Sequence, residues 1–183
     1  EIGPFSTDAA GNVIGGFVNA YGTGSRVEIV SGVGEGATGD VRIKGKVQSA
    51  GDNGSVRVFA GYGNGEGSKG SITIGEDAPG SRNDALVLAR QKVQFNVYDG
   101  ELAVKKGAGV GVTDDGSEVL LKTAMAKGER GDMVIDGNVF SEGRNGKALL
   151  NAGGIMSDIN ADGIINAKDV FYIKAILSGS VSK

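Results

Sequence analysis

The strongest constraint on the fold is an internal repeat. Residues 39–61 read GDVRIKGKVQSAGDNGSVRVFAG and residues 131–153 read GDMVIDGNVFSEGRNGKALLNAG. Aligned without a gap they share 11 of 23 positions, among them Gly39/Gly131, Asp40/Asp132, Ile43/Ile135, Gly45/Gly137, Val47/Val139 and Asn53/Asn145. Residues 11–32, GNVIGGFVNAYGTGSRVEIVSG, follow the same scheme with one deletion, placing Val18 opposite Val47 and Gly22 opposite Gly51. Weaker copies start at Gly70 and Gly100, so units begin near 11, 39, 70, 100 and 131, about 30 residues apart.

Within each unit apolar residues alternate with polar ones, as in Val41 and Ile43, Val56 and Val58, and Ile72 and Ile74. A period of two puts one face of a strand in a core and the other in water. The chain holds 34 Gly and only 2 Pro in 183 residues, with the glycines at the joints between these runs. No every-third-residue glycine pattern points to collagen, and the β-branched pairs argue against disorder. The expected class is all-β, over residues 1–153. A parallel β-solenoid, or β-helix, satisfies the repeat if each unit is one coil and like residues stack in ladders. The alternative is a β-sandwich in which Asn53-Gly54 and Asn145-Gly146 are type I′ hairpin turns.

The residues that are missing narrow the chemistry. There is no Cys and no His, which removes thiolate nucleophiles, disulfides, histidine triads and almost every zinc site. A net charge of −3 with mixed signs and no basic stripe argues against nucleic acid. No apolar run reaches the roughly 20 residues of a membrane-spanning helix. The adjacent acids Asp114 and Asp115 invite a glycosidase reading. Neighbouring acids in a turn point apart, however, and the chain has no Trp to form a sugar platform. The expectation is a protein that is not an enzyme.

Residues 154–183 read differently. In SDINADGIINAKDVFYIKAIL, counting from Asp158, oxygen-bearing side chains fall at positions 1 (Asp158), 3 (Asn160), 5 (Asp162), 9 (Asn166) and 12 (Asp169), with Gly163 at position 6. A calcium ion takes six to eight oxygens, and a loop that wraps once delivers them from alternate residues. Glycine permits the sharp bend, and Ile164 at position 7 offers its backbone carbonyl. Val170, Ile173, Ile176 and Leu177 then recur at helical steps, so a short α-helix follows. Alone it is marginal, and it needs a surface such as an open end of the β domain. The expected metal site is therefore Asp158, Asn160, Asp162, Ile164, Asn166 and Asp169, binding Ca2+.

This segment closely resembles one dockerin repeat, a family that uses Asp at position 12 of the loop. The resemblance implies calcium binding by those six residues and a secreted or cell-surface protein. It also makes Glu1, which has no Met before it, the expected start of a mature form after signal-peptide removal. A full dockerin has two such segments and this chain has one, so the loop is expected to serve as a cap or as a contact between copies of the protein, and a cohesin-like or polysaccharide partner is the alternative expectation. The pattern of GD-x-x-I-x-G-x-V followed by G-x-x-G-x-V-x-V over residues 11–153 resembles the coils of haemagglutinin-like secreted adhesins.

Other stretches have plainer readings. Asn53-Gly54-Ser55 spells an N-glycosylation sequon but reads better as a tight turn whose Asn tolerates positive φ. Residues 61–67, GYGNGEG, lack the helix and the Lys-Ser/Thr pair of a phosphate loop. Arg130-Gly131-Asp132 spells an adhesion tripeptide on the corner of a coil. ALVLARQKVQFNVY, residues 85–98, is expected to be buried strand. Together these features predict a secreted calcium-binding structural protein that self-associates into an extracellular filament or surface layer. The alternatives are a non-catalytic adhesion or carbohydrate-associated module and, behind it, a pectate-lyase-type enzyme for which no motif supplies the catalytic residues.

Overall fold

The computed structural model describes residue 2 and residues 5–7, 13–62, 68–76, 84–124 and 131–152. They form an all-β parallel solenoid. The first coil contains Ile2, an antiparallel pair β1 (Phe5–Thr7) and β2 (Val13–Gly15), then β3 (Phe17–Ala20) and β4 (Arg26–Ser31). The second has β5 (Val41–Ile43), β6 (Lys46–Ser49) and β7 (Ser55–Ala60), and the third β8 (Ile72–Ile74), β9 (Leu86–Ala89) and β10 (Lys92–Val97). The fourth has β11 (Leu102–Val104), β12 (Gly109–Val112) and β13 (Glu118–Lys122), and the fifth β14 (Met133–Ile135), β15 (Asn138–Ser141) and β16 (Lys147–Asn151).

Three parallel sheets run along the stack. One has the order β5-β8-β11-β14, the second β3-β6-β9-β12-β15 and the third β4-β7-β10-β13-β16. Ile2 extends the first sheet by a parallel bridge to Ile43, so the first coil is closed by a residue from the start of the chain. The opening strands of coils two to five each begin two residues beyond Gly39, Gly70, Gly100 or Gly131.

The sandwich alternative fails on these pairings. A type I′ hairpin at Asn53-Gly54 needs β6 and β7 to pair with each other. Instead β6 pairs with β3 and β9, and β7 pairs with β4 and β10. Asn53 (φ 56°) and Asn145 (φ 59°) supply a left-handed residue to a corner between two sheets, not to a hairpin.

The core is a set of side-chain ladders. Val18, Val47, Val87, Val110 and Val139 stack in the second sheet. Ile29, Val58, Phe95, Leu121 and Leu150 stack in the third. Ile2, Ile43, Ile74, Val104 and Ile135 stack in the first. In the middle coils these positions are completely buried, Phe95 being the largest. Each such side chain contributes about 1.5–3 kcal/mol by leaving water. Residues 85–98 form β9 and β10 with Ala85, Val87, Ala89, Val93, Phe95 and Val97 all in the core.

Corner glycines let backbone lie on backbone. A Cβ on Gly70 would run into the carbonyl of Gly39, and one on Gly100 into the carbonyl of Gly70. The aspartate of the repeated Gly-Asp pair has its own task, since Asp40 Oδ1 accepts the Ser71 backbone N–H of the next coil at 2.9 Å. Ser71 Oγ in turn accepts from the Glu101 N–H at 3.1 Å, one coil further on.

Candidate functional site

The six residues of the expected calcium site, Asp158, Asn160, Asp162, Ile164, Asn166 and Asp169, lie outside the described residues, as does the apolar stripe from Val170 to Leu177. Among the described residues no cluster of three or more acidic side chains is placed to hold a metal ion. Gly63 to Gly67 of the glycine-rich stretch and Arg130 of the adhesion tripeptide are likewise outside them, whereas Gly131 and Asp132 form a corner.

The acids that invited a glycosidase reading are occupied in joining coils. Asp114 Oδ1 accepts from Arg90 Nε at 2.9 Å, and the other side of the same guanidinium bonds Asp52. Arg90 therefore bridges the corners of coils two and four across its own. The hydrogen bond and charge of Asp114, joined by the charge of Asp52, hold the guanidinium above its ordinary pKa. Asp115 turns the other way and accepts the Arg144 backbone N–H at 2.8 Å. Two carboxylates directed at different partners do not flank a scissile bond.

The same corner carries a recurring hydroxyl pair. Ser25 Oγ and Ser49 Oγ are 2.7 Å apart, and Ser49 Oγ also donates to the Ser25 carbonyl at 2.8 Å. Three coils further along, Ser117 Oγ and Ser141 Oγ are 3.2 Å apart. In both pairs the upper coil leaves the corner through glycine, Gly54 or Gly146, whose missing Cβ makes room for the serine. Asn53 sits at the exposed tip of this corner, in the turn expected for it.

Outside the stack are two apolar features that sequence reasoning passed over. Phe59 and Tyr62 have ring centroids 5.2 Å apart, and Tyr62 and Tyr98 5.5 Å, forming an aromatic cluster at the C-terminal ends of β7 and β10 in the third sheet. The signal was present, because Tyr62 and Tyr98 follow the third strands of successive coils. On the second sheet, Gly109 and Gly111 leave a hollow, and the Phe140 ring of the next coil lies over Gly111.

The two ends of the stack have their core positions partly open. Val18 is 36% exposed, whereas Val47, Val87 and Val110 in the same ladder are 0%. At the other end Ala148 is exposed although it continues the buried row of Val56, Val93 and Val119, and Ile135, Val139 and Leu150 are half-buried. The strands concerned are the outermost of their sheets: β3 and β4 at one end, β14, β15 and β16 at the other.

No known protein family, curated protein or solved structure was found to match the chain. Among the described residues no helix is long and apolar enough to cross a membrane.

Proposed function

We propose that the chain is a secreted, calcium-binding structural protein that assembles with copies of itself into an extracellular filament or surface layer. One observation carries this reading: the inner ladders run to both ends of the solenoid and leave apolar core positions partly open there. A stack of strands terminated in this way is a template for more strands. Calcium enters through the Asp158–Asp169 spacing. Residues 153–183 follow the fifth coil directly, so an ion held by Asp158, Asn160, Asp162, Ile164, Asn166 and Asp169 stiffens the chain beside that end. A dockerin-like segment implies an extracellular setting, where millimolar calcium fills even a weak site.

The test joins calorimetry with negative-stain microscopy. The protein is expected to bind calcium, to lose that binding in Asp162→Ala, and to form elongated particles that change in length or number when a chelator is added. Monodisperse particles at all concentrations in calcium would overturn the assembly reading, and the absence of a calcium heat would overturn the metal. The dockerin-like spacing of the D-x-N-x-D-G loop also supports a second reading, a module held by a cohesin-like partner, although the chain has one such segment where a full dockerin has two. A pull-down with a cohesin, scored beside a glycan array, separates it from the first.

A further inference from the structure

From the strand registers we infer that copies join head to tail, the fifth coil of one receiving the first coil of the next as though it were a sixth coil. This inference rests on the self-assembly reading and names its interface. Along the second sheet the register links Phe17, Lys46, Leu86, Gly109 and Asn138, and with them Val18, Val47, Val87, Val110 and Val139. Continued by one step, Val139 meets Val18 of the next copy and Ser141 meets Ala20. Along the third sheet Ala148 meets Val27 and Leu150 meets Ile29, and along the first Ile135 meets Ile2.

Every inward pair made this way joins small or apolar side chains, and each ladder gains the neighbour that keeps its middle members dry. At the corner, the incoming Ser25 falls opposite Gly146, and Ser141, for which Gly146 already makes room, faces Ala20, so no hydroxyl is crowded. One outward pair opposes the contact, Lys147 against Arg26. The Arg26 guanidinium is turned along its own strand to Glu28, 3.6 Å away, and that carboxylate lies diagonally across from Lys147 in the joined stack. The two ends are different surfaces, so the contact is heterologous and does not close into a dimer. It propagates as an open filament.

The chain has no cysteine, which makes disulfide trapping a clean test. In Arg26→Cys/Lys147→Cys the two thiols of one molecule are four strand spacings apart, roughly 19 Å at ~4.8 Å each, too far to bridge. Between stacked copies they face each other at one spacing, within the Cα separation a disulfide accepts. Under mild oxidation the full-length double variant should give a ladder of covalent multimers on a non-reducing gel. The yield should be at least tenfold above that of Arg26→Cys/Asn138→Cys, whose thiols lie on different sheets. A monomer band, a ladder equal to that control, or dimers from Arg26→Cys alone would overturn the register. If microscopy still shows filaments in that case, self-assembly stands and this interface falls. If filaments are absent as well, both fall.

Discussion

The serine–glycine corner makes a quantitative forecast. Gly54 lies in a normal region of backbone space, so replacing it with Ala removes unfolded-chain entropy and by itself would stabilise by about 0.4–1 kcal/mol. Sterics oppose this. An added Cβ would sit 2.6 Å from Ser49 Oγ, 2.7 Å from the Gly51 carbonyl and 2.8 Å from the Ser49 carbonyl. Two of the three atoms are backbone, pinned by the coil stack, and Gly54 itself gives its carbonyl to the Gln91 N–H at 2.9 Å. Overpacking of this kind costs about 1–3 kcal/mol, which outweighs the entropy. Gly54→Ala should therefore destabilise by roughly 1–2 kcal/mol, or about 2–8 °C in Tm for a chain of this size. Ser49→Ala alone should lose about 1 kcal/mol for its buried hydrogen bond. The double variant removes the atom nearest the new methyl, so its loss should fall short of the sum by about 0.5–1 kcal/mol. Urea unfolding followed by far-UV circular dichroism measures all three. A Gly54→Ala protein as stable as the parent, or strict additivity in the cycle, would refute the close-approach argument.

Two further predictions concern the middle coil. Phe95→Ala empties the largest wholly buried position and should cost about 3–5 kcal/mol, read by the same unfolding experiment. Arg90→Met should lower Tm modestly, and the difference from the parent should shrink in concentrated salt, because the bridge is exposed on its Asp52 side and only part-buried at Asp114, and salt screens it. Its pH dependence follows from the raised guanidinium pKa. The arginine's contribution is fully present below its ordinary value and is lost only as pH rises through the higher folded one. Between pH 6 and 9 the Tm gap between parent and variant should thus be flat, as pH-dependent melting will show.

Coil spacing was legible in the sequence because a physical clash recurs with it. A Cβ on Gly39, Gly70, Gly100 or Gly131 would run into atoms of its own corner or of the corner beside it, so a side chain is excluded once per turn. The alternation of Val41 with Ile43 and of Val56 with Val58 was legible for the same reason, one core face per strand. The direction of pairing was not, since Asn53-Gly54 suits a hairpin and a solenoid corner equally. Only the partners of β6 and β7 distinguish them. Arg90 was invisible because its role depends on Asp52 and Asp114, carried by other coils, and its own corner has no glycine to mark it. The expected calcium loop rests on spacing alone, since Asp158 through Asp169 lie outside the described residues.

The parallel ladders also decide how the molecule bears mechanical load. Their hydrogen bonds lie along the long axis, joining each turn only to its neighbours. Tension between the two ends therefore strips one turn at a time, each releasing about 30 residues, or roughly 100 Å of slack at 3.3–3.6 Å per residue. Tension across the axis must instead shear three sheets at once. A filament of such units would yield gradually when stretched lengthwise and stay stiff against a sideways pull.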